Sequence, residues 1–194
     1  MISFLIIGHT ASTDASFSLN DLPGAGGRMD LLCRAIGSSL FLSHGIRQNI
    51  TCDILLLGQP HPGRIIRFSG NEIRNLSPDE RNIASFIKKG LAIPAGKKFR
   101  EAGPGLSCRT GTLADMLTEQ KYAVLDESGI DIRKVPDEDL PKNFLLSDNQ
   151  NFSDDEKNCT AHLPCFSLGP AIVHADHAIT LLLNEIDRRE SGWI

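Results

Sequence analysis

Ser167-Leu-Gly-Pro-Ala-Ile-Val-His-Ala-Asp-His177 is the stretch on which the reading of this chain turns. A short apolar run over residues 165–168 enters it with the character of a strand, and Gly169-Pro170 turns the chain. A helix from about residue 174 to 189 leaves it, ending on the basic pair Arg188-Arg189 that suits a helix C-terminus. Glycine lets a ligand approach the backbone, proline fixes the turn, and the free amides of a helix start offer donors to a polar ligand. A tight strand-to-helix connection without a ligand would use the same residues, so spacing alone leaves both readings open.

Outward from that segment, apolar runs alternate with helical patterns. Strands are expected over residues 4–7, 52–57, 122–125 and 144–146, with Asp53 the one charge in the second. Residues 8–27 form a Gly/Ser/Asp-rich loop, and a helix is expected over 29–43. Residues 64–68 and 72–76 read as a hairpin around Ser69-Gly70-Asn71. Ser77, with Pro78 beside it, reads as the cap of a helix over 79–91, and helical periodicity resumes over 112–121 after the break at Gly103-Pro104-Gly105. The acidic stretches at 137–139 and 154–156 read as solvated loop. With no repeat or linker to split it, the chain is expected to be one α/β domain over residues 1–194 with a mostly parallel sheet. Ligands in such sheets sit beyond the carboxyl ends of strands, which singles out residues 125–129, 146–149 and 168–174.

Hydrophobic residues at 41% and charged residues at 23% are ordinary globular values, and the net charge of −4 argues against coating nucleic acid through a broad basic surface. The first residues lack a signal peptide's basic region and long apolar stretch, and no apolar run reaches bilayer length. The expectation is therefore a cytoplasmic protein without a membrane partner. Five cysteines at irregular spacing suit reduced, packed thiols. Cys159-x-x-His162-x-x-Cys165 lacks the companion pair of a structural zinc site, and His174 and His177 lack further ligands, so no metal is expected. Neither G-x-S-x-G, G-x-G-x-x-G nor a P-loop occurs.

Three segments carry a resemblance: Tyr122-Ala-Val-Leu-Asp-Glu-Ser-Gly129, Phe144-Leu-Leu-Ser-Asp-Asn149 and Leu168-Gly-Pro-Ala-Ile-Val-His-Ala-Asp-His177. They are similar to the three cofactor loops of the TrmY family, and the likeness extends to Gly26-Gly-Arg-Met-Asp-Leu-Leu-Cys-Arg34 and Ser43-His-Gly-Ile-Arg47. Archaeal members methylate N1 of pseudouridine 54 in tRNA with S-adenosyl-L-methionine; a related family acts on an rRNA pseudouridine, and bacterial members also exist. The resemblance implies a SPOUT fold with a C-terminal trefoil knot, a homodimer, and cofactor contacts from Leu125, Ser147, Leu168, Gly169, Pro170, Ala171, Ile172, Val173 and Ala178. The chain departs from the family at Ser147 (commonly glycine), Ala178 (commonly cysteine) and Asn149 (frequently histidine). The helix near the C-terminus, apolar around more than one stripe, is consistent with a partner subunit.

The implied chemistry is attack of pseudouridine N1 on an activated methyl group with loss of the N1 proton, and it needs no metal. Arg28 and Asp30 are the candidates for holding the base and handling that proton, though an Arg/Asp pair at a helix start would look the same. Arg28, Arg34 and Arg47 could form the local basic patch that an acidic RNA enzyme requires. Lys97-Lys98-Phe99-Arg100, in a Gly/Pro-bounded loop, reads as staying in water rather than gripping RNA. Structured RNA, tRNA ahead of rRNA, is the expected partner. Ribose 2′-O-methylation and a noncatalytic RNA-binding module are the alternatives.

Overall fold

A computed structural model describes residues 1–193. The fully buried strand β1 (Ile2–Gly8) is followed by an irregular loop and by α1 (Met29–Leu40). Two short strands, β2 (Phe41–Leu42) and β3 (Gly45–Ile46), make a ribbon where the first helix was expected to continue. Then come β4 (Ile50–Leu56), β5 (Arg64–Ser69), α2 (Glu80–Ala92), β6 (Arg100–Gly103), β7 (Leu106–Thr110) and α3 (Leu113–Glu119). The chain ends with β8 (Ala123–Asp131), β9 (Asn143–Ser147), α4 (Asp154–Thr160), β10 (Cys165–Ser167) and α5 (Ala175–Glu190).

One sheet holds eight of the strands in the order β10-β8-β9-β1-β4-β5-β7-β6. From β10 to β4 the neighbours are parallel, which explains why β1 and β4 read as unbroken apolar runs; β5, β7 and β6 add an antiparallel edge. α1, α2 and α5 contribute to the larger core on one face, while α3 packs over Leu5, Ile7, Leu55 and Leu145 on the other. No helix among the described residues is long and apolar enough to cross a membrane. The cysteines are free, with Cys33, Cys52 and Cys108 buried.

Several local expectations are corrected. Residues 72–76 form no strand: β5 pairs instead with β4 and β7, and the chain turns at once, with the Ile73 amide donating to the Ser69 carbonyl. Gly70 lies so close to the chain before β4 that an added Cβ would sit 2.0 Å from the Arg47 carbonyl oxygen. The cap of α2 is Asp79, whose carboxylate accepts from the Arg81 and Asn82 amides, rather than Ser77. Residues 154–156 are not loop. They open α4, where Ser153 and Glu156 form a capping box. The surplus of apolar residues on α5 is mostly consumed within the chain, because Ala178, Ile179, Leu182, Leu183 and Ile186 are buried and only Leu181 of that set is exposed.

Candidate functional site

At the carboxyl end of the parallel strands two adjoining cavities, of about 270 and 310 Å³, share Leu125, Asp126, Glu127, Val173 and Ala178. The first is lined in addition by Leu168, Gly169, Pro170, Ala171 and Ile172, the second by Ser147. The structure thus brings all nine residues of the three loops to one cleft, although 53 positions separate Leu125 from Ala178 in the chain. α5 begins at Ala175, within a residue of the expected start, and a short loop joins the turn at Gly169-Pro170 to it. The amides of Ala171, Ile172, Val173 and His174 have no acceptor among the described residues and are available to a ligand. A Cβ added to Gly169 would meet nothing within 4 Å, so this position opens into the space a ligand would occupy. Gly129 differs: there a Cβ would run into the Phe166 backbone, which marks it as a packing glycine.

Sequence reading missed a charged cluster beside the cleft. His9, just past β1, has its amide and Nδ1 on the Asp148 carboxylate at 2.8 and 2.9 Å, and its Nε2 3.0 Å from Glu156. Hydrogen bonding to Asp148, opposed by burial and reinforced by Glu156, raises its pKa from 6.5 to about 9. The imidazolium therefore ties together the end of β1, the turn after β9 and the first turn of α4. A histidine at the carboxyl end of a parallel strand was the one available signal. Asp148 lines the second cavity, so the cluster fixes part of its wall.

Arg28 and Asp30 stand at the start of α1, at the same end of the sheet. Arg28 has a left-handed backbone, φ 66°, and its guanidinium makes two bonds to the Asp30 carboxylate at 3.1 and 3.2 Å. Burial opposes ionisation of Asp30, but Arg28 and Arg34 outweigh it and hold its carboxyl below the usual range. Arg34 is itself shared among Asp30, Glu80 and Asp176 at 3.4, 3.7 and 3.9 Å. Arg47 does not join them. It precedes β4 at the opposite end of the sheet and is paired with Asp187 at 2.8 Å. The expected basic patch is thus divided, and each of its arginines has a carboxylate partner. Among the described residues no group of three or more His, Cys, Asp and Glu side chains forms a metal site.

Fold and cleft together define a class: an α/β protein that presents a cofactor-sized site, built from three loops, at the carboxyl ends of parallel strands. Residues 1–191 match the family described as "Putative SAM-dependent RNA methyltransferase", and the chain belongs to that family. It is 75% identical, over the whole of both chains, to a tRNA (pseudouridine(54)-N(1))-methyltransferase of Methanospirillum hungatei. A protein of the same description from Methanocorpusculum labreanum is 48% identical over 97% of this chain and 98% of its own length. These relatives are archaeal, so the bacterial type has no support here. Archaeoglobus fulgidus Nep1 bound to S-adenosylhomocysteine matches the structure with a TM-score of 0.67, over 98% of this chain and 100% of that one, at 14% identity. At that identity the likeness speaks for the fold, which is the SPOUT class.

Proposed function

We propose that the protein methylates N1 of a pseudouridine in tRNA, at the position its relatives' names give as 54, using S-adenosyl-L-methionine. The observation that carries this reading is the convergence of three strand-end loops on one cleft at the same end of the sheet as the Arg28–Asp30 pair. The cleft fits the cofactor in chemistry. Leu125, Leu168 and Ile172 offer apolar surface to an adenine ring, the amides of residues 171–174 offer donors, and Asp126 and Glu127 place carboxylates where a cationic ligand is favoured.

When bound, S-adenosyl-L-methionine supplies an activated methyl group and leaves as S-adenosylhomocysteine, while N1 gains the methyl and releases its proton to water at the open cleft. The chain's part is therefore alignment. Pseudouridine carries N1–H as well as N3–H, whereas uridine N1 is bonded to ribose and only N3–H remains, so an N1–H donor is offered to Asp30 only by the former. A carboxylate held below its usual pKa is a weak proton acceptor but a strong hydrogen-bond acceptor, and it suits orienting N1–H for attack. Arg28 fixes that carboxylate through two bonds.

We also infer a single knotted domain that works as a cytoplasmic homodimer without metal. Ile172, Val173 and Leu181, exposed at 78, 39 and 45%, form an apolar rim to the cleft that a second subunit would cover. Sedimentation giving a monomer at micromolar concentration would remove the dimer. For the reaction itself, the protein is incubated with labelled cofactor and total RNA from cells lacking the gene, and the labelled nucleoside is identified by mass spectrometry. N1-methylpseudouridine from tRNA is expected. Label on a ribose oxygen, or on RNA made without pseudouridine, would overturn the reading.

A further inference from the structure

The arginines near the cleft are neutralised, yet a structured RNA must be held over more than one nucleotide. Residues 81–100 contain Arg81, Lys88, Lys89, Lys97, Lys98 and Arg100 and no carboxylate. All 24 of the chain's Asp and Glu lie elsewhere, against the other 14 of its 20 Lys and Arg. None of these six cations comes within 4.0 Å of a carboxylate among the described residues. Their contacts are neutral. Arg81 donates to Asn20, Lys88 to the Phe17 carbonyl, and Arg100 to the Pro94 carbonyl, while Lys89 lies 4.6 Å from the Phe86 ring centre.

The later part of the segment, from the end of α2 through the loop of Lys97 and Lys98, lies at the same end of the sheet as the cleft. Arg64, which pairs with Leu56 at the carboxyl end of β4, bonds the carbonyls of Leu91 and Ile93 and so fixes the end of α2 there. The Thr110 amide donates to the Gly96 carbonyl, which pins the loop holding Lys97 and Lys98 beside the last residue of β7. Four strand spacings separate β9, which ends in Ser147, from β7, and at about 4.8 Å each they place the loop roughly 20 Å from the cleft. That exceeds the screening length of about 8 Å in physiological salt, so these charges act on phosphates lying directly over them. Phe99 is not free to stack on a base, because it packs on the smaller core cluster with its ring centre 4.1 and 4.7 Å from the guanidinium carbons of Arg67 and Arg109. It stiffens the loop instead.

We propose that residues 81–100 are a platform for the phosphate backbone of the substrate RNA, engaging the body of the molecule while the target nucleotide reaches the cleft. This rests on the methyltransferase reading for its substrate, and it reverses the sequence expectation that the lysines of this loop serve only to meet water. Phosphate contacts of this kind set position and affinity rather than sequence choice.

The test uses the full chain with Lys97→Ala/Lys98→Ala and, separately, Lys97→Glu/Lys98→Glu. Both side chains are exposed and make no hydrogen bond among the described residues, so circular dichroism and calorimetric cofactor affinity should match the wild type. RNA affinity is read by fluorescence anisotropy and methyl transfer by label, for an intact pseudouridine-containing tRNA and for a short stem-loop bearing the same target. The alanine variant should lower the slope of log affinity against log salt by about 1.5 for the tRNA. The glutamate variant should raise Kd and KM for tRNA tenfold or more, with kcat within twofold and the stem-loop unaffected. Unchanged tRNA affinity and salt slope, or equal loss on both RNAs, would overturn the platform. If the wild type binds tRNA but transfers no methyl group, the functional reading falls and the anisotropy comparison still decides the platform.

Discussion

Raising the pH should loosen this protein through one histidine. The His9 side chain is 13% exposed and lies between the carboxylates of Asp148 and Glu156, with its pKa raised from 6.5 to about 9. The folded state therefore holds a proton that the unfolded chain releases over this interval. The stabilisation is fully present below pH 6.5 and is lost as pH rises through about 9. That interval corresponds to about 3 kcal/mol, a large part of the stability of a typical domain, and the slope approaches about 1.4 kcal/mol per pH unit. Buried Cys33, Cys52 and Cys108 have thiols pushed up by burial, so they add a loss of the same sign above their ordinary value of 9.0. Urea unfolding followed by circular dichroism between about pH 6 and 8.5 stays below that range. The wild type should lose about 2 kcal/mol or more across it, and His9→Asn, which cannot titrate, should show a much flatter profile. A flat wild-type profile, or identical slopes in the two proteins, would refute the assignment of the proton to His9.

Gly169→Val should weaken calorimetric binding of S-adenosyl-L-methionine at least tenfold with little change in Tm, since the new side chain enters the open cleft rather than the core. Asp30→Asn should lower kcat by about 10²-fold with cofactor affinity retained, the size expected on losing one oriented charged contact. Asp53→Ala should cost about 3–5 kcal/mol in denaturant unfolding, because the fully buried Asp53 is the partner that Arg67 holds through two bonds at 2.7 and 2.8 Å.

The parallel half of the sheet was legible because β1, β4 and β9 are buried on both faces and their apolar runs are continuous. The three strand ends that line the cleft followed from local residues, while the cofactor contacts expected of them came from the family resemblance. What escaped was interaction at long sequence separation. His9 meets Asp148 across 139 positions and Glu156 across 147, and neither local pattern nor spacing reports such a meeting. Glu156 read as part of a solvated acidic patch, although the capping geometry that buries it was written in Ser153 and Glu156 three residues apart. Residues 72–76 read as the second strand of a hairpin, but the place beside β5 is taken by β7, which arrives from much later in the chain. Arg47 was grouped with Arg28 because an acidic RNA enzyme needs a local basic patch, whereas the length of β1 and β4 keeps the two at opposite ends of the sheet.

Charge is divided along the sheet for a physical reason. S-adenosyl-L-methionine carries a sulfonium and an ammonium, and an unpaired guanidinium within a screening length of it would oppose its binding. At the cleft end of the parallel half, Asp126, Glu127 and Asp148 line the cavities, while Arg28 and Arg34 are matched by Asp30, Glu80 and Asp176. Phosphate affinity then has to be placed where it cannot disturb the cofactor, and on the reading proposed above it is carried by residues 81–100, whose Lys97-Lys98 loop lies beside the antiparallel edge. The two requirements conflict at one location and are compatible about 20 Å apart. A chain with a net charge of −4 can therefore serve a polyanionic substrate without a generally basic surface.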